Sequence, residues 1–150
     1  MAKATTTAAK KRAWDRFSQW IRVKKGIETT KYPFVGICVT CYKQFHIRAL
    51  QAGHMIPGRS NAVLFQEELV NPQCVACNEG LHGNPKKYRK VMVLKYGEEQ
   101  VSRWEMEAKK VIHDRDMDFE AIEIHYREAT RVLLIPFGYN NYAEMLQGHQ

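Results

Sequence analysis

The stretch Leu50-Gln-Ala-Gly-His54-Met-Ile-Pro57-Gly-Arg59-Ser-Asn-Ala-Val-Leu-Phe65, continued by Val70-Asn71-Pro-Gln-Cys74-Val-Ala-Cys77-Asn78, carries most of the chemistry in this chain. A histidine closes a short run, Ile47 to His54, that reads as a strand. One asparagine stands three residues ahead of a C-x-x-C pair and another directly behind it. An imidazole titrates near neutral pH and suits a general base, and an asparagine offers a neutral oxygen to a hard cation.

Outward from this stretch lies a second pair of the same inner spacing, Cys38-Val-Thr-Cys41, about thirty residues ahead of Cys74-Val-Ala-Cys77. Tetrahedral zinc takes four thiolates or imidazoles, and each C-x-x-C turn presents two sulfurs to one ion. Disulfides do not suit a reducing compartment, and a redox C-x-x-C has no reason to occur twice without a thioredoxin-like pattern. The four cysteines are therefore read as ligands of a structural Zn²⁺. Such a site is coordinatively closed, so chemistry must come from other residues.

The chain has 150 residues, with 45% hydrophobic and 26% charged residues, the balance of an ordinary globular domain. No apolar run approaches a membrane span and the first residues lack a signal-peptide pattern, so a cytoplasmic location is expected. The net charge of +7 is unevenly spread. Residues 1–97 hold 17 Lys/Arg against 5 Asp/Glu, a net +12, and the remainder is at −5. A positive field on the first part suits a polyanion, because each cation that neutralises a phosphate releases a condensed counterion, or else is simply a soluble basic surface.

Residues 1–9 read as a disordered basic arm. Trp14, Phe17 and Ile21 then recur at helical spacing, in a helix that should begin near Lys10 and stop at Gly26. Val35 to Cys38 is read as a strand, Ile27 to Pro33 as loop and Pro57 to Pro72 as irregular. Asn84-Pro85 is read as a capped helix start, with Gly97 as its stop. A following helix carries Val101, Trp104, Ala108 and Val111. Another, opened near Asp116 or Asp118, carries Phe119, Ile122, Tyr126, Ala129 and Leu133. These stripes read as core, or as a dimer face.

The order His54, Asn71, Asn78 is that of HNH nucleases, and the flanking residues resemble the phage recombination protein family NinG, also called Rap. The resemblance rests on Gln51-Ala-Gly-His54, Ile56-Pro-Gly-Arg59, Asn61-Ala-Val-Leu-Phe65, Gln73-Cys74, Cys77-Asn78, Gly83-Asn84, Tyr96-Gly97-Glu98 and Phe17-Ser-Gln-Trp-Ile21-Arg22. It covers roughly residues 13–104. It implies an α+β fold, with a zinc-stapled ββα-metal (HNH) core between an N-terminal helix and C-terminal helices. Residues 10–97 would form the nuclease domain and 98–150 a helical extension.

The activity implied is phosphodiester hydrolysis in branched DNA such as Holliday junctions and D-loops, by a phage protein in the host cytoplasm. His54 would be the general base and, with Asn78, a ligand of Mg²⁺ or Mn²⁺, while Asn71 holds the loop or His54 in place. Many HNH sites carry an Asp or a second His just before the base, where this chain has Gly53. Some ββα-metal nucleases use one Asn with DNA phosphate and water, and Glu67 or Glu79 could contribute here. His82 is a spare candidate.

Arg59 is read as a phosphate clamp, and Lys24, Lys25, Lys86, Lys87 and Lys90 as backbone contacts that position DNA without reading its sequence. A branched substrate favours a homodimer, with the acidic C-terminal helices as its interface. Two other readings stay open: a nicking HNH enzyme on ordinary duplex, and a zinc-ribbon DNA-binding protein without activity.

Overall fold

The computed structural model describes residues 2–149; Met1, where the expected arm begins, and the side chains of residues 2–5 lie outside the described residues. The first helix, α1, runs Ala2–Thr30, longer at both ends than its apolar pattern predicts. Gly26 does not stop it. A Cβ at Gly26 would stand 2.6 Å from the Val35 carbonyl oxygen, so the glycine lets the next strand lie against the helix. The helix ends instead where Lys31 adopts φ 72°. There the Thr30 hydroxyl donates to the Gly26 carbonyl and accepts from the Tyr32 amide.

Two antiparallel hairpins follow. Strand β1, Val35–Ile37, pairs with β2, Gln44–His46, in the register Val35↔His46. A 3-10 turn, Ile47–Ala49, then leads into β3, Leu50–His54. Its partner β4, Val70–Cys74, occupies part of the stretch expected to be irregular. Pro72 hides that strand from a sequence reading. In a two-stranded sheet β4 is also an edge, where a missing N–H costs little. The Pro72 carbonyl still accepts from the Val39 amide at 2.8 Å, tying the two hairpins together.

A single π-helical turn, Ala76–Gly80, follows β4, and then α2, Pro85–Tyr96. Asn84 precedes α2 as expected but does not cap it: it sits at φ 49° without a side-chain bond to the helix. Gly97, at φ 88°, ends α2 as the sequence predicts, since few other residues adopt that conformation cheaply. Helix α3, Glu98–Glu107, is shorter than its apolar pattern, and Val111 falls in an exposed loop. Asp118 caps α4, Phe119–Leu134, by accepting from the Ala121 amide at 3.0 Å. The tail forms α5, Tyr142–Gly148, capped by Asn141.

The apolar stripes are mainly core. Phe17, Trp20 and Ile21 of α1 meet Tyr126 of α4 and Val70 of β4. Val23, Ile47, Leu134 and Met145 bring α5 onto the other end of α1. Tyr88, Met92 and Val101 pack beneath Met55, Val63 and Leu69. The charge asymmetry is partly consumed inside the molecule. Lys10 pairs with Asp114 at 2.8 Å and Arg12 with Glu123 at 3.2 Å, so part of the acidic segment covers the basic side of α1.

Candidate functional site

Cys38 and Cys41 sit in the β1–β2 turn, and Cys74 and Cys77 bracket the end of β4, so each pair enters from its own hairpin. Their sulfurs all lie within 4.8 Å of one another, and Cys41 and Cys74 are 3.9 Å apart. A tetrahedron with Zn–S bonds of about 2.3 Å has edges of about 3.8 Å, so the cluster can hold a structural metal such as zinc. All four are free thiols, and three are buried. Burial alone would raise the Cys38 thiol. The Thr40 hydroxyl and the amides of Cys41, Cys74 and Thr40 outweigh it and bring the pKa to about 6. Burial dominates at Cys74, pushed up to about 12.

Beside this cluster, between α1 and β3, lies a cleft of about 350 Å³. Its walls include Trp14 and Arg22 of α1, Gln51 of β3, Arg59, and Asn78 and Glu79 of the π-helical turn. Asn78 Nδ2 donates to Gln51 Oε1 at 2.8 Å, and Gln51 Nε2 donates to Glu79 at 2.5 Å. These bonds orient both amides, and the Asn78 oxygen and the Glu79 carboxylate are the oxygen donors of this group.

His54 ends β3 with its ring stacked on Trp14, centroids 4.8 Å apart and planes 21° from parallel. The Arg59 guanidinium lies 4.7 Å from the Trp14 ring centre. Burial, helped by the Arg59 charge, lowers the His54 pKa to about 4. Its Nε2 is enclosed and has no hydrogen-bond partner among the described residues. Trp14 is thus both core, against Phe17 and Phe65, and a wall of the cleft.

Asn71 is a buried anchor. Its Nδ2 donates to Tyr88 Oη at 2.9 Å, and its Oδ1 accepts from Lys25 Nζ at 2.7 Å. Tyr88, fully buried, donates in turn to the Gly53 carbonyl at 2.8 Å. Asn71, expected to hold the loop or His54, is thus one link in a hydrogen-bonded chain of groups from α1 to β3. Gln73 explains the glycine before His54. A Cβ at Gly53 would stand 2.0 Å from Gln73 Oε1, while Gln73 Nε2 donates to Thr40 Oγ1 and to the Gly83 carbonyl.

The description "Bacteriophage Lambda NinG protein" belongs to a family model that matches residues 2–134. This chain is a member of the NinG family. No curated protein and no solved structure matches it. The NinG match runs past Trp104, where the flanking resemblance stops, to the end of α4. Helix α4 packs on α1, so a NinG pattern that includes α1 includes its cover. Among the described residues no helix is long and apolar enough to cross a membrane.

The basic residues of this NinG-family chain sort into two groups. Lys25 is turned inward, donating to the carbonyls of Glu67 and Val70 and to Asn71, each at 2.7 Å; burial lowers its pKa to about 8. It does not face a DNA backbone. Lys24 lies between Glu28 and Glu67, over the Trp20 ring. Lys86, Lys87 and Lys90 are exposed on α2, and Arg59 reaches the cleft. Glu67 lies toward Lys24 and Tyr126, whereas Glu79 is in the cleft. His82 is exposed at φ 52°. Sequence reasoning missed Trp14, Arg22, Gln51 and Tyr88. Gln51 lay in the quoted motif; Trp14 and Tyr88 look like ordinary core aromatics.

Proposed function

We propose that this NinG-family chain is a metal-dependent DNA endonuclease of the HNH type. Its ββα-metal core would be β3, β4 and the turn Ala76–Gly80, and its substrate branched recombination DNA. The observation that carries the reading is one cleft holding Arg22, Arg59, Asn78 and Glu79, walled by the Trp14 against which His54 stacks. Burial leaves the His54 imidazole neutral at pH 7 but, with its pKa lowered to about 4, a weak base; released from that burial it returns toward the ordinary histidine pKa, at which it can take a proton from water. Its enclosed Nε2 must be uncovered for that step, by a shift of the ring from Trp14 as DNA enters. Arg22 and Arg59 would clamp the phosphate.

A bound Mg²⁺ or Mn²⁺ supplies charge to stabilise the pentacoordinate phosphorus and the leaving oxygen. Asn78, through its amide oxygen, and Glu79 are the residues that would hold it. His54 is not among the residues that line the cleft with Asn78 and Glu79, so we assign it the base role rather than a place in the metal's ligand set.

The enclosure of His54 Nε2 favours a second reading, a zinc-stapled DNA-binding protein that does not cut. Metal-dependent cleavage of end-labelled four-way junction and matched duplex DNA, wild type beside His54→Ala, separates them. Junction cleavage lost in a folded His54→Ala variant supports the first reading; equal cutting of linear duplex supports a nicking enzyme. Binding without cleavage by either protein supports the second. A homodimer on the outer side of α4, where Ile124 and Val132 are exposed, would bring two clefts to two strands. Light scattering that finds only monomer, free and on DNA, overturns it.

A further inference from the structure

The face formed by the two cysteine turns carries an aromatic group that packing does not explain. Tyr42 follows Cys41 at φ 61°, held there by its amide donating to the Cys38 carbonyl at 2.9 Å. Its side chain is 59% exposed and its hydroxyl has no hydrogen bond among the described residues. The ring contact it does make is with a cation: Lys87 Nζ lies 5.8 Å from its centre. Lys43 is adjacent in sequence, and Lys86 and Lys90 share the exposed side of α2 with Lys87. None of these four lysines has an acidic partner among the described residues, whereas Lys10, Arg12, Lys24 and Arg89 do. Val75 and Leu81, beside the second turn, are also exposed.

A tyrosine presented on a rigid turn among unpaired lysines has the chemistry of a stacking platform for single-stranded nucleic acid. Each base offers a π-face to the ring, and the lysines meet the phosphates on either side. A duplex offers no free base face, and an acidic protein surface would engage the lysines but leaves the exposed Tyr42 ring face without a π-partner.

We infer that the cysteine-turn face is a second DNA-binding surface, on which Tyr42 stacks an unpaired base and Lys43, Lys86, Lys87 and Lys90 hold the flanking phosphates of a single strand. The surface rests on the DNA reading of this chain but not on chemistry in the cleft. It would let the protein engage the unpaired segment of a branch while the cleft addresses another strand.

Fluorescence anisotropy with labelled oligo-dT, and with the same strand carrying one 2-aminopurine, tests it. Zinc content is checked in every variant. The wild type is expected to bind oligo-dT and quench 2-aminopurine. Tyr42→Ala should weaken binding roughly 10-fold or more and abolish the quenching, with Tyr42→Phe within about 2-fold of wild type. Lys87→Ala should lower the slope of log K against log salt by about 0.7. His54→Ala should bind oligo-dT like the wild type even where it fails to cut, so a failed nuclease reading and a failed surface are distinguishable. Wild-type affinity in zinc-loaded Tyr42→Ala, or a wild type that binds duplex and not oligo-dT, would overturn the proposal.

Discussion

The Tyr88 hydroxyl donates to the Gly53 carbonyl at 2.8 Å, so a residue of α2 fixes the backbone of β3 one position before His54. The same oxygen accepts from Asn71, which accepts from Lys25. Four elements of the chain are thus joined at one buried point, and the first prediction concerns it. Tyr88→Phe keeps the ring and removes both bonds. We expect a loss of about 1–3 kcal/mol in urea unfolding, because the freed groups are buried. If the cleft cuts DNA, kcat should fall more than KM changes; unaltered stability and kinetics would contradict the linkage.

Lys25 and Lys90 should behave in opposite ways. Lys25→Ala strips three acceptors of their donor and should cost about 2–4 kcal/mol, with no direct loss of DNA contacts. Lys90→Ala should leave the unfolding midpoint unchanged within about 0.5 kcal/mol and weaken DNA binding, with a shallower salt dependence. Paired urea melts and salt titrations distinguish the two.

The pKa of His54, lowered to about 4, makes stability depend on pH. Between that value and the ordinary histidine pKa near 6.5, the unfolded chain holds a proton that the folded one does not. Stability is therefore full above about pH 6.5 and declines as pH falls toward 4, by about 3 kcal/mol from this residue. His54→Gln should flatten that part of the curve relative to wild type. Parallel curves across this window would show that the imidazole is not enclosed in solution.

Removing the metal should act on the hairpins first. Chelation, or Cys74→Ser, would take away an ion held by the four cysteines, which would join the β1–β2 turn to the end of β4. Structural zinc is worth on the order of 10 kcal/mol or more in finger peptides, comparable to the whole margin of a domain. We expect a fall in melting temperature of more than about 10 °C and loss of amide protection at Val39 and Cys74. The α1–α4 interface should be the last part to exchange. An unchanged melt in metal-free protein would mean that the thiols pack without an ion.

Much of this arrangement could be read from residue spacing. The two C-x-x-C pairs converge on one cluster because four ligands of one type at equal spacing have few other uses. The stripes Trp14, Phe17, Ile21 and Phe119, Ile122, Tyr126 predicted two helices with apolar faces; that the two faces meet each other is shown only by the structure. What the spacing did not carry was set by tertiary contact. Gly26 looked like a helix stop but serves a close approach of Val35. Pro72 masked β4, whose pairing is decided by β3 rather than by local preference. Lys25 looked like a surface cation because its acceptors, Glu67, Val70 and Asn71, are far away in sequence. His54 was legible as a functional candidate, but its stacking on Trp14 depends on how α1 crosses β3.

The Gln73 side chain over Gly53 constrains how this site can change by mutation. A carboxylate or imidazole at position 53 collides with Gln73 until that side chain is displaced or shortened. Shortening Gln73 alone removes the donor to Thr40 and Gly83. Neither order of single steps is free, so a library varying position 53 alone would return destabilised proteins in which Gln73 has been displaced, and would mask part of any gain from an added ligand. Varying 53 and 73 together is the route by which a different ligand set could be reached on this scaffold.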